Sequence, residues 1–111
     1  MVYVFDIDDT ICKKELDTGY ESSEPIFERI DIINYLYDMG NTIILHTARG
    51  MGRHNNDAEA ATKQFYNMTK AQLSDWGVKY HTLFMGKPAG DIYVDDKGIR
   101  DEDFFRNEFR T

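Results

Sequence analysis

The stretch that decides the fold is the first ten residues, MVYVFDIDDT (Met1–Thr10). Met1 to Phe5 is apolar and β-favouring, and polarity switches abruptly at Asp6. An unbroken apolar run bounded in this way reads as a buried strand of a parallel sheet. The acids that follow it, Asp6, Asp8 and Asp9, then stand at the edge where open α/β sheets bind their ligands.

Working outward, three further segments read as strands. Thr42 to Leu45 is a second buried strand that runs into His46-Thr47-Ala48-Arg49-Gly50. Val78 to Phe84 contains a third, just ahead of Gly86-Lys87-Pro88. Ile92 to Val94 is a short fourth that stops at Asp95-Asp96. Residues 12–23 are polar and read as a loop or flap. A helix follows, with Ser23 or Glu24 near the cap, Pro25 in the first turn and Gly40 past the end. Its stripe of Ile26, Phe27, Ile30, Ile33, Leu36 and Tyr37 is core. A loop from Gly50 to Asn56 leads to a second helix, from about Asp57 to Trp76, with Ala58, Ala61, Phe65, Met68 and Trp76 on its apolar side and Gly77 at its end. The tail from Asp101 to Thr111 predicts a last helix packing through Phe104, Phe105 and Phe109. The order β-α-β-α-β-β-α predicts one α/β domain over residues 1–111, with right-handed crossovers.

Composition bounds the partners. The chain has 111 residues, 41% of them apolar, which suffices for one core and leaves no room for a second domain. The formal net charge is −7, and close basic pairs such as Lys13-Lys14 and Arg49 with Arg53 are too small to make a basic face. A nucleic-acid groove or an anionic membrane surface needs a basic face, so neither partner is expected. No apolar run approaches the length of a membrane span. Met1 is followed at once by the strand-like run and its acids, which argues against a secretory signal. A lone cysteine, Cys12, cannot form an intramolecular disulfide, and a reduced cytoplasmic setting is the expectation.

Four polar groups sit at strand ends: Asp6-Ile7-Asp8-Asp9-Thr10, Thr47-Ala48-Arg49, Lys87 and Asp95-Asp96. If Asp6, Asp8 and Asp95 or Asp96 converge, they repel one another. Two like charges about 4 Å apart cost about 4 kcal/mol at an effective dielectric of about 20. Such a gathering needs a cation, and an all-oxygen donor set suits Mg²⁺ rather than zinc. A carboxylate beside the metal can attack phosphorus, and a second carboxyl two residues on can protonate the leaving alcohol and then activate water. Thr47 would offer a hydroxyl and nearby N–H groups to phosphoryl oxygens, and Lys87 would balance negative charge.

DIDDT (6–10), TIILHTAR (42–49), GK (86–87) and YVDD (93–96) together resemble, in order, the four motifs of haloacid dehalogenase-like phosphatases. That resemblance implies a Rossmann-like parallel sheet flanked by helices. It also implies an aspartyl nucleophile at Asp6, an acid/base at Asp8, a phosphate-binding Thr47, the motif lysine at Lys87 and Mg²⁺ held by Asp6, Asp8, Asp96 and Asp95. In this reading Asp96 binds the metal directly and Asp95 through water. Asp9 departs from the pattern, since glycine is commoner there. Neither the stretch from Thr10 to Thr47 nor that from Arg49 to Lys87 has room for a cap domain. LHTARGM (45–51) with GKPAGDIYVDDKGIRDEDF (86–104) is similar to small capless members found with bacterial surface-polysaccharide biosynthesis genes. This implies a sugar phosphate or related small phosphorylated metabolite as substrate.

Without a cap, recognition falls to local loops, the substrate's own bulk or a partner subunit. Arg49, Arg53, His54 and Asn55 are the candidates beside the second motif, with Lys13 or Tyr20 in the flap. His46 and His81 read as structural, and Cys12 lacks the basic partner a reactive thiol wants. Trp76 and the phenylalanines of the tail read as core or as a contact in a homo-oligomer. Two other functions share parts of this pattern. A nucleotide or polynucleotide-end phosphatase shares the chemistry, although the charge of −7 disfavours long nucleic acid. A phospho-receiver signalling domain shares the length, acids and lysine, but it places its phosphorylated Asp after the middle strand, where this chain has Thr47.

Overall fold

The computed structural model describes residues 1–14 and 19–107. In chain order the elements are β1 (Val2–Phe5), β2 (Cys12–Lys13), a 3₁₀ turn (Tyr20–Ser22), β3 (Glu24–Pro25), α1 (Phe27–Asp38), β4 (Thr42–Thr47), α2 (Ala58–Asp75), β5 (Thr82–Met85) and α3 (Asp101–Asn107). The main sheet has three parallel strands in the order β1-β4-β5, with Val4 opposite Ile44 and Leu45 opposite Leu83. Both crossovers step the same way across it. Right-handed connections therefore put α1 and α2 on one face.

The core confirms that placement. Phe5, Ile43 and Leu45 point to the helix side and cluster with Ile30, Ile33 and Leu36 of α1, Leu73 of α2 and Phe105 of α3. Phe104 packs edge-on against Phe5, with ring centroids 5.5 Å apart. The alternate residues share the opposite face, because side chains alternate along a strand. There Val2 and Val4 are 62% and 60% exposed, Phe84 is exposed, and Ile44 and His46 are half-buried. The domain is therefore two layers, and β1 is apolar throughout yet buried on one side only.

Helix ends follow local chemistry. The Asp57 side chain accepts from the N–H groups of Glu59 and Ala60 and so caps α2. Past α1 the Asn41 N–H returns to Leu36 O, and past α2 the Val78 N–H returns to Leu73 O, closing each helix around Gly40 and Gly77. The N-terminus of α1 differs from the sequence reading. Pro25 lies in β3, paired antiparallel with Cys12, and the helix begins two residues later. A two-residue ladder on the flap uses a position where the missing N–H of proline does no harm. Phe27 is consequently exposed rather than core.

The expected fourth strand does not form. Ile92 and Val94 are 81% and 95% exposed, and among the described residues β1 has β4 as its one strand neighbour in the sheet. A local turn wins instead: the Tyr93 hydroxyl donates to Pro88 O at 2.6 Å and accepts from the Gly90 N–H at 3.0 Å. The last helix forms as expected up to Asn107, with Phe104 and Phe105 packed inward. Phe109 lies outside the described residues.

Candidate active site

Each strand of the sheet delivers its polar group at the carboxyl end. Asp6 follows β1, Thr47 ends β4 and Lys87 stands two residues beyond β5. The Lys87 N–H donates to Thr47 O at 3.1 Å, which extends the ladder past β5 and fixes where the lysine leaves the sheet. Its ammonium reaches Asp6 Oδ1 at 3.7 Å. Burial pushes the Asp6 carboxyl above its ordinary range, while Lys87 and the Ile7 N–H pull it back. Tyr93 covers Lys87 from the far side, its ring centroid 4.4 Å from Nζ. A tyrosine facing a lysine six positions earlier leaves no periodic trace in sequence, and the sequence reading passed over it.

Asp8 lies in a tight turn. Thr10 and Ile11 N–H groups return to Ile7 O, and Asp9 adopts a left-handed conformation at φ 61°. That backbone state explains why glycine suits this position. Arg29, another residue passed over, donates to Thr10 O at 2.9 Å and pairs with Asp101 at 2.7 Å, tying the turn to α1 and α3.

The second motif holds a correction. Arg49, expected to face substrate, is wholly buried, and its Nε and Nη2 each sit 3.0 Å from an oxygen of Asp8. Its Nη1 donates to Thr69 Oγ1 of α2 at 3.1 Å, and the Tyr20 ring stacks 5.0 Å away. A guanidinium with all three nitrogens engaged and no exposed surface has nothing to offer a ligand. Thr47 is buried too, and its Oγ1 accepts the Arg49 N–H. That bond leaves the hydroxyl hydrogen of Thr47 as its donor.

Other sequence candidates do not join this centre. Arg53 lies over the Phe65 ring, and His54 is hydrogen-bonded to Gln64. Asn55 is exposed on the same loop. Lys13 is exposed on β2. Tyr20 is an anchor, its hydroxyl accepting the Gly50 N–H and its ring packing on Phe65. Asn56 joins the loop after β4 to the loop after β5, through Ala89 N–H donation to its Oδ1. His81 is structural, taking the Ile43 N–H on Nδ1 and stacking on Tyr37. His46 stands closer to the chemistry than expected. Burial and the Lys87 charge lower its pKa, against the pull of Asp6. Cys12 is inert: burial pushes its thiol up to about 12.

Asp95 and Asp96 remain exposed. The Asp95 carboxyl accepts the Lys97 N–H at 3.0 Å, and this bond, with its contact to Asp96, holds it below the ordinary range. Among the described residues no group of three His, Cys, Asp or Glu side chains is close enough to hold a metal ion. The oxygen donors suit Mg²⁺ in kind, since that ion takes one or two carboxylates and completes its shell with water. A crevice of about 280 Å³ between the 3₁₀ turn and α2 is lined by Ser23, Gln72 and Trp76 among others and includes none of these acids.

Fold and site together define a small parallel α/β domain with an acid–lysine pair at the carboxyl ends of its strands. No family model and no curated protein matches the chain. A crystal structure of a target protein from Vibrio cholerae is similar over 95% of this chain and 87% of its own, with a TM-score of 0.85 and 22% identity. A structure of a Pnkp1/Rnl/Hen1 complex is similar over 96% of this chain, with a TM-score of 0.50 and 18% identity, and the chain spans 33% of that one. At these identities the likeness establishes the fold alone. Among the described residues no helix is long and apolar enough to cross a membrane.

Proposed function

We propose that the chain is a phosphomonoesterase of the haloacid dehalogenase-like type, acting on a small phosphorylated metabolite such as a sugar phosphate in the cytoplasm. The observation that carries this reading is the pairing of Asp6 with Lys87, 3.7 Å apart at the carboxyl ends of β1 and β5, with Asp8 two residues on. In the first step an Asp6 oxygen bonds to phosphorus as the ester P–O bond breaks, and the leaving alkoxide takes a proton from Asp8. In the second, water attacks phosphorus, Asp8 accepts its proton, and the bond to Asp6 breaks to release phosphate. Lys87 offsets charge on the nucleophile and on the transferring group. The Thr47 hydroxyl hydrogen, which the Arg49 bond leaves over, is offered to a phosphoryl oxygen.

Magnesium dependence is part of the proposal through the motif resemblance. Asp6 and the turn at Asp8 would hold the ion, which would supply positive charge to the transferring group, and no step is routed through it. Phosphate release from p-nitrophenyl phosphate and a panel of sugar phosphates, with Mg²⁺ or EDTA, tests the reading. The expected result is Mg²⁺-dependent turnover that Asp6→Asn abolishes, with a phosphoenzyme trapped on Asp6. An inactive wild type under all these conditions refutes it.

A further inference from the structure

The geometry points to Arg49 as the positioning residue of the acid/base, acting through Asp8 without touching substrate. This inference rests on the phosphatase reading. The guanidinium is wholly buried, whereas the Asp8 side chain is 19% exposed, so the carboxylate lies between the arginine and the open edge of the sheet. Two parallel contacts of 3.0 Å, Nε to Oδ2 and Nη2 to Oδ1, fix both the plane and the direction of that carboxylate. A fork of this kind is specific to arginine, because an ammonium acts as a point charge and cannot set a plane. Oδ1 accepts from both Arg49 and the Cys12 thiol, whereas Oδ2 accepts from Arg49 alone and keeps a second lone pair for the proton it exchanges. The arginine is itself fixed from three directions: Thr69 Oγ1 of α2 at 3.1 Å, the Tyr20 ring of the flap at 5.0 Å, and its own N–H on Thr47 Oγ1 at 3.1 Å. Cys12 Sγ, 3.6 Å from Asp8 Oδ1, closes the back of the pocket. The Asp8 carboxyl is thus held by groups from four separate segments, which is what a proton donor needs if it is to meet a leaving oxygen in one orientation.

The role predicts a dependence on leaving group that a merely structural arginine would not produce. An alkyl phosphate needs its alkoxide protonated as the P–O bond breaks, and p-nitrophenolate does not. Rapid-quench measurement of the first turnover separates this step from the later attack of water. Arg49→Lys is expected to slow alcohol release from glycerol phosphate by about 10²-fold, nitrophenol release by less than tenfold, and to leave KM for both nearly unchanged. Thr69→Val removes one anchor far from substrate and should act in the same direction with smaller size. It carries the test if Arg49→Lys fails to fold by circular dichroism. Equal losses on both substrates, or a rise in KM alone, overturn the positioning role while leaving the phosphatase reading intact. A wild type that releases nothing from either substrate overturns both.

Discussion

At Asp6 two opposing influences meet: burial raises the carboxyl and the Lys87 ammonium lowers it, with burial the stronger. The native state therefore keeps that proton to higher pH than the unfolded chain, and binds more protons in the window between the two values. Stability falls as pH rises through that window and does not recover above it. Asp6→Asn removes the charge at nearly constant shape. In EDTA at pH 7 it should raise Tm. The gain should vanish below the unfolded carboxylate value of about 3.9. Thermal melts across pH check this, and a lower Tm for the variant at pH 7 would refute it. The same scale marks what was legible beforehand. Asp6 and Lys87 were readable because each stands just beyond an apolar run. The burial of Arg49 was not, since its partners Asp8, Thr69 and Tyr20 come from three remote segments and no spacing links them.

Elements were legible where local chemistry decides them and not where a few residues choose between two local options. The cap at Asp57 and the stops at Gly40 and Gly77 depend on adjacent residues alone. Pro25 and the 92–94 segment depend on what lies opposite, and there Cys12 and the Pro88–Tyr93 turn decided the outcome. The loop between β4 and α2 carries a sharper constraint. Gly50 has φ 78°, and a Cβ there would lie 2.6 Å from Phe65 Cδ2 of α2. Gly40 has φ 91° with open space around it. Both positions resist alanine through backbone strain of about 1–2 kcal/mol, but Gly50 adds overpacking of about 1–3 kcal/mol. Urea denaturation should place Gly50→Ala about 2–5 kcal/mol below wild type and Gly40→Ala only about 1–2 kcal/mol below. Equal losses would show that the loop yields to the added methyl group.

For the whole molecule, the class of fold was legible from the alternation of apolar runs and helical stripes, but the number of layers was not. A strand reads the same whether one or both of its faces are covered, and MVYVF contains nothing polar to mark the wet side. Coverage depends on where the chain after β5 goes, and it returns to the helix side through Phe104 and Phe105. Substitutions on the two faces should therefore differ widely. Leu45→Ala, in the core, should cost about 2–5 kcal/mol. Val4→Thr, 60% exposed, should stay within about 0.5 kcal/mol of wild type. Comparable losses at the two sites, read from denaturant midpoints, would mean that something covers the valine face in solution. This one-sided construction also shapes the temperature response. Val2, Val4 and Phe84 are largely hydrated in the native state, so melting adds less new hydrocarbon to water than it would in a sheet sandwiched between helices. The heat-capacity increment should then lie toward or below the usual range of about 12–15 cal/mol/K per residue. The stability curve flattens accordingly, and the domain weakens slowly on either side of its optimum instead of peaking sharply.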